Sequence, residues 1–273
     1  MLRIHCLTAI ALLCASVAPA ASAEPLQPTG KWRLNYEDAQ CNAYRSYGTK
    51  QKPLFLAFKS PPSGSVVQLM VLQNGPRMDA LQHNTTISAG ETKALRTNML
   101  VYRNKDSNFR VSRINLPISV FQGFRDAPDL KIDSTDRDFT FVLSDFSALM
   151  TAIDACVADL REHWNVSESD ALNPRLSRSA IGDLQKVFKS EDYPWMAVRG
   201  EMQGTTGVVL LIDESGKVAD CSVVETSGAA SVDAQSCAII TERARFEPAL
   251  DAAGNPARSS YSQRIKWMLR SNP

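Results

Sequence analysis

The sequence predicts an α+β protein: a mainly antiparallel β domain that ends in a helix, followed by a smaller α-β-β-α-β unit. Three observations carry this reading. Short runs of alternating apolar and polar residues, punctuated by Pro-Pro-Ser-Gly, Asn-Gly-Pro and Arg-Asp-Ala-Pro, recur through the first 143 residues, as antiparallel strands and their turns require. Phe146, Leu149, Ile153, Val157, Leu160 and Trp164 follow the three-and-four spacing of one buried helix face. After Tyr193 the pattern runs helix, strand, strand, helix, strand, which buries itself as helices on one face of a small sheet.

Taken in order, the chain opens with one positive residue, Arg3, an apolar run from Ile4 to Ala18 and the small-x-small site Ala21-Ser-Ala23. This reads as a cleaved secretory signal over residues 1–23. A spanning helix needs about 20 apolar residues, and Pro19 interrupts before that length. The alternative, an uncleaved leader, would leave the protein anchored in the inner membrane. Cleavage places it in the periplasm. It also removes Arg3 from the 30 basic residues, leaving 29 against 29 acidic ones. A neutral chain gives no reason to expect nucleic acid as a partner.

Residues 24–165 are expected to form the first domain. Lys31 to Tyr36 alternates with Trp32, Leu34 and Tyr36 on one face, and Leu54–Phe58, Val66–Leu72, Met99–Arg103, Phe109–Leu116 and Phe139–Leu143 are further strands. Ser144 or Asp145 caps the helix. From residue 166 to 189 the apolar pattern weakens into a polar connector, with one short helix around Ile181 to Phe188. Residues 190–273 make the second domain.

There, Pro194 opens a short amphipathic helix with Trp195, Val198 and Met202 on one face. Gly207 to Ile212 is a strand, Asp213 to Lys217 turns it back into Val218–Val224, and Gly216 supplies the left-handed residue of that loop. Val232 to Ala244 is a helix. The closing strand sets Tyr261, Gln263, Ile265, Trp267 and Leu269 on one side, with Ser260, Ser262, Arg264, Lys266 and Met268 on the other.

Four cysteines survive processing, and an exported chain matures where disulfides form. Four allow three connectivities. Placement favours Cys41 with Cys156 and Cys221 with Cys237, because each pair then stays inside one domain and brackets its strand-rich part. A structural role is the better reading, since no Cys-x-x-Cys spacing supports redox chemistry.

Tyr193-Pro194, the Gly207 strand, the Asp-x-x-Gly-x-Val turn at Asp213 to Val218, Ser227-Gly228, Phe246-x-Pro248 and the strand ending at Trp267 stand in one order and spacing. Together they resemble the TonB C-terminal domain, over about residues 190–273. The resemblance implies a module of the Gram-negative envelope that passes inner-membrane energy to outer-membrane receptors, in TonB-dependent transport, by gripping a short extended segment of the receptor. A TonB transducer keeps an N-terminal anchor and a proline-rich spacer, where this chain has a signal and a folded-looking domain. What carries over is the gripping.

A small sheet has two edges, and an edge strand offers unpaired amides and carbonyls to an extended peptide. The final strand is the expected edge, with Ser260, Ser262, Arg264 and Lys266 as the partner-binding residues. The partner is an extended segment of an outer-membrane receptor or another envelope protein; the same edge also allows pairing with a second copy.

Enzymatic chemistry is not expected. His83, read as lying in a polar loop, and His163, beside Trp164 at a helix end, have no metal-ligand spacing around them, so neither a metal nor another cofactor is assigned. No nucleophile elbow, phosphate loop or dinucleotide fingerprint is present, and no catalytic residue is named. Asp126, Asp129, Asp133, Asp136 and Asp138 crowd one stretch without calcium-loop spacing and read as a solvated, self-neutralised loop. The alternative function is an envelope enzyme or inhibitor acting through the first domain, with the C-terminal unit as a locator.

Overall fold

The computed structural model describes residues 24–63, 65–76, 80–103, 108–167 and 173–269. The signal expected over residues 1–23 lies outside them, as do residues 270–273 of the second domain. The first part is a nine-stranded antiparallel half-barrel, built from β1 Arg33–Tyr36, β2 Cys41–Ser46, β3 Leu54–Ser60, β4 Val66–Asn74, β5 Leu81–Ala89, β6 Leu95–Arg103, β7 Phe109–Pro117, β8 Asp129–Ser134 and β9 Phe139–Val142. Their order across the sheet is β1-β2-β3-β4-β7-β6-β5-β8-β9. Residues 26–29 bridge the two sides: Leu26 N donates to Thr140 O at 2.7 Å, Val142 N donates to Leu26 O at 3.0 Å, and Thr29 N donates to Ser46 O at 2.8 Å.

Alternation puts one face of each strand inward, and helices α1 (Ile118–Gln122) and α2 (Phe146–His163) close over it. Phe58, Phe121 and Phe146 form the aromatic centre of this core, with ring centroids 5.1 to 6.1 Å apart. Asp145 is the N-cap of α2, in the left-handed region and without a side-chain capping bond. Cys41 and Cys156, both fully buried, form a disulfide that ties β2 to α2.

Three strands of this sheet escape the sequence reading, each for a visible reason. β2 turns Cys41, Ala43 and Arg45 inward, and none of these is a strand-core signature. Arg45 is buried because its guanidinium is spent on carbonyls: Nε donates to Gly30 O at 2.7 Å and Nη1 to Ser144 O at 2.6 Å. β5 faces inward with Thr85, Ile87 and Ala89. His83 therefore sits in a strand and not in a loop, with Nδ1 3.2 Å from Thr135 Oγ1. The aspartate-rich stretch is also corrected: Leu130 and Ile132 make β8 out of it. Asp136 pairs with Arg110, and Asp138 accepts from Ser134 N. At the other extreme Tyr36, expected on the buried face of β1, is 61% exposed at the sheet border.

The second part contains α3 Trp195–Arg199, β11 Gly204–Ile212, β12 Val218–Glu225, α4 Ala230–Arg243 and β15 Ser259–Trp267, with sheet order β12-β11-β15. This is the predicted element order. α4 packs on one face through Ile240 and Ala244 against Val208, Leu210, Ile212 and Val223. A second disulfide, Cys221–Cys237, joins β12 to α4. Gly216 has φ +79°, and a Cβ there would lie 1.9 Å from Phe246 O, so the hairpin admits only glycine.

The polar connector expected over residues 166–189 is corrected in its second half. β10 (Leu176–Arg178) pairs with β13 (Ala249–Asp251), which pairs with β14 (Pro256–Ala257) in a small sheet of its own. Ile181 and Glu247 exchange backbone hydrogen bonds of 3.0 and 2.8 Å. The segment Leu184–Val187 is a 3-10 turn whose Leu184 is buried in the α4 core. Residues 173–189 thus belong to the C-terminal unit. Their apolar anchors are too few and too irregularly spaced for a periodic signal.

The two units also meet face to face. Leu211, on the side of β11 away from α4, packs with Cys41, Cys156, Leu160 and Trp164. Arg258 lies 4.9 Å over the Trp164 ring, Asn165 Nδ2 donates to Arg258 O at 2.8 Å, and Lys59 meets Asp220 at 2.9 Å. The first domain therefore covers the small sheet's second face around Leu211.

Candidate functional site

β15 pairs with β11 along nine residues, Ser259 to Trp267, and among the described residues no strand pairs on its far side. Two hydrogen bonds set its phase. Asp213 N donates to Lys217 O across the hairpin, and Leu269 N donates to Gln203 Oε1 on the β11 side. Antiparallel pairing alternates, so the odd-numbered residues of β15 bond β11. The amides and carbonyls of Ser260, Ser262, Arg264 and Lys266 then point to the open border.

Along that border runs a groove of about 680 Å³. One wall is Tyr261 and Gln263 to Leu269; the other is Gly182 to Gln185 with Phe188, Lys189 and Ser190, and Tyr193 and Val198 complete it. The groove narrows at one end, where Tyr261 Oη donates to Gly182 O at 3.4 Å and the Tyr261 ring meets Phe246 at 4.9 Å. It is open from Gln263 to Leu269. Of the four residues named from the sequence, Arg264 and Lys266 line it; Ser260 lies past its narrow end, and Ser262 is exposed between Tyr261 and Gln263 without lining it.

The floor is aromatic. Trp267 is 6% exposed, donates from Nε1 to Ser236 Oγ at 2.9 Å, and takes Phe188 and Tyr193 edge-on at 5.5 and 5.2 Å. Tyr193 Oη donates to Met202 O at 2.7 Å, and burial pushes this phenol above its ordinary value. Trp267 and Tyr193 thus shape the site from beneath. Arg264, on the exposed face, is paired with Glu225 at 2.7 Å.

The second wall, missed in the sequence, is pinned from below by a charge pair. Arg243, at the end of α4, donates from Nη1 to Asp192 Oδ2 at 2.7 Å and to Val187 O at 3.2 Å, and Lys189 N donates to the same Asp192 oxygen at 2.7 Å. The hydrogen bond from Arg243 is the main reason the buried Asp192 carboxyl titrates below its usual range. A depressed carboxylate contributes stability that is complete above its unfolded value, about 3.9, and is lost as pH falls through the folded one. Asp192→Asn should therefore lower the thermal midpoint at neutral pH, and the gap from the parent should close in acid below the carboxylate range. Parallel thermal melts from pH 7 to pH 2 check this; a gap constant with pH would show that the pin is not electrostatic.

The sheet of three strands has an open last strand and a glycine hairpin, Pro194 is the N-cap of α3, and Phe246-x-Pro248 leads into β13. Comparison with protein families matches residues 189–269 to Gram-negative bacterial TonB protein C-terminal. Residues 189–269 are a TonB C-terminal domain. The match covers under a third of the chain, and the half-barrel stands outside it. No curated protein and no solved structure matches the chain. Beside its TonB C-terminal domain, the chain carries two disulfides, one of them fully buried, and both features are consistent with a place in the cell envelope.

Proposed function

We propose that this is a TonB-like envelope protein that captures an extended segment of an outer-membrane receptor, or of another envelope protein, by strand addition to β15. The observation that carries the reading is the unpaired border of β15 lying in a two-walled groove. An added strand lies about 4.8 Å from its neighbour, and the open stretch from Gln263 to Leu269 accommodates a segment of about seven residues. Four or five backbone hydrogen bonds at about 1 kcal/mol net each, with one or two buried side chains at about 1.5 to 3 kcal/mol each, give a gross gain of about 6 to 11 kcal/mol. Ordering and immobilising the peptide offset several of those. The net is weak, reversible capture, micromolar at its tightest, suited to a partner that must be released.

The half-barrel supports this role by position: it covers the far face of the small sheet near Leu211 and leaves the β15 border to solvent. On this reading the chain performs no catalysis, and the work lies in binding.

Lys266→Pro tests it. The substitution deletes an amide that faces the open border and leaves the β11 ladder in place, a position where an edge strand tolerates proline. N-terminal peptides of outer-membrane receptors should bind the full chain, perturb amide signals of residues 263–269, and lose at least about tenfold in affinity to the variant. Unchanged affinity, or a response confined to the half-barrel, would move the function away from β15.

A further inference from the structure

The groove does not end with the β15 ladder. Trp195, Val198 and Met202 share the apolar face of the short helix that opens at Pro194, yet α3 packs through Ala197. The stripe faces solvent: Trp195 is 59% exposed, Val198 45% and Met202 39%, and Met268 beside them is 60% exposed. Four of the seven large exposed apolar residues of the described chain are gathered here. Val198 and Met268 also line the groove, so the apolar surface continues the site past the end of the ladder.

The geometry points to a second specificity element on the reading above: an apolar anchor site at the open end of the groove, formed by the lining residues Val198 and Met268 and extended by Trp195, one turn before Val198 on the same face of α3. Its occupant is one large apolar residue of the captured segment, immediately flanking the residues that pair with β15. Three features argue for this. Backbone pairing is indifferent to sequence, so discrimination must come from side chains at the rim of the ladder. Trp195 carries the Arg199 guanidinium, one turn on, 5.6 Å over its ring and leaves more than half of its surface open to a partner. Met268 is unbranched and adapts to anchors of different shape. The opposite, closed end of the groove, at Tyr261 and Gly182, offers no such space, so the flanking residue is recognised at one end only.

Selection of random 16-residue peptides displayed on phage against the immobilised full chain tests the anchor apart from the ladder. The parent should enrich Phe, Leu, Met or Trp at a fixed offset on one flank of a β-prone stretch, and removing that residue from a synthetic peptide should weaken binding about tenfold, as burial of one side chain implies. A Trp195→Ser chain, altered at an exposed residue outside the groove lining and checked by its unchanged thermal midpoint, should retain the β-prone stretch and lose the flank preference. The same preference on that variant, or none on the parent, overturns the anchor while leaving strand addition standing. Failure to enrich any peptide that Lys266→Pro rejects would instead remove the ladder itself, and the anchor with it.

Discussion

Removing the Cys41–Cys156 bond, by replacing both cysteines with alanine, is expected to lower the stability of the chain by about 5 kcal/mol, since a link of this span removes that much entropy from the unfolded state. The sequence separation is 115 residues, and both sulfurs are fully buried. In a chain of this size each kcal/mol moves the thermal midpoint by about 2 to 4 °C, so the fall should be about 10 to 20 °C. The effect should also reach the second domain. Cys41 and Cys156 share a cluster with Leu160, Trp164 and Leu211, so loosening α2 removes the platform on which β11 rests. Hydrogen exchange in the double variant should therefore quicken at β11 as well as at α2. Loss of stability without added exchange in β11 would show that the two units are energetically independent.

Trp267→Ala should cost about 3 to 5 kcal/mol, the range for truncating a buried tryptophan. The indole fills the space between Phe188, Tyr193 and α4, and its Nε1 satisfies Ser236 Oγ. Without it the groove loses its floor, and the expected result is a fall in stability together with loss of peptide binding. Trp267→Phe separates the two effects. A phenyl ring keeps most of the packing, gives up the hydrogen bond to Ser236, whose own hydroxyl still donates to Val232 O at 2.9 Å, and leaves a small cavity where the second ring stood. That variant should lose about 2 kcal/mol, less than the alanine variant, and bind nearly as the parent does. Equal losses in both variants, measured by denaturant titration, would show that the hydrogen bond outweighs the packing.

The candidate site was half legible before any coordinates. The alternation from Ser260 to Leu269 is a local property, and it identified a one-face-buried strand whose even-numbered residues turn outward. Arg264 and Lys266 follow from it directly. Ser260 obeys the same alternation but falls past the narrow end of the groove, where Tyr261 meets Gly182, 79 residues earlier, and Ser262 is exposed between two lining residues without lining it. No periodicity encodes that encounter. The facing wall is hidden for a related reason: Gly182 to Ser190 is held by single anchors, Leu184 in the core and Asp192 on Arg243, and isolated anchors carry no repeat. In α3 the pattern misleads, since an apolar stripe announces burial only if something packs against it, and here Ala197 takes the contact.

By itself the sequence determined what depends on neighbours in the chain: the helix stripe from Phe146 to Trp164, the glycine hairpin at Gly216, the order α-β-β-α-β, and the strand that closes it. Period and turn chemistry act within a few residues, so they are written in the order of the letters. Only the tertiary structure decided which border of the small sheet stays open, what stands opposite it, and which face the half-barrel covers. Those outcomes rest on contacts between residues tens to more than a hundred positions apart, such as Leu211 on the Cys41–Cys156 bond and Arg258 over Trp164. Their energies exist only once both partners have been brought together in space.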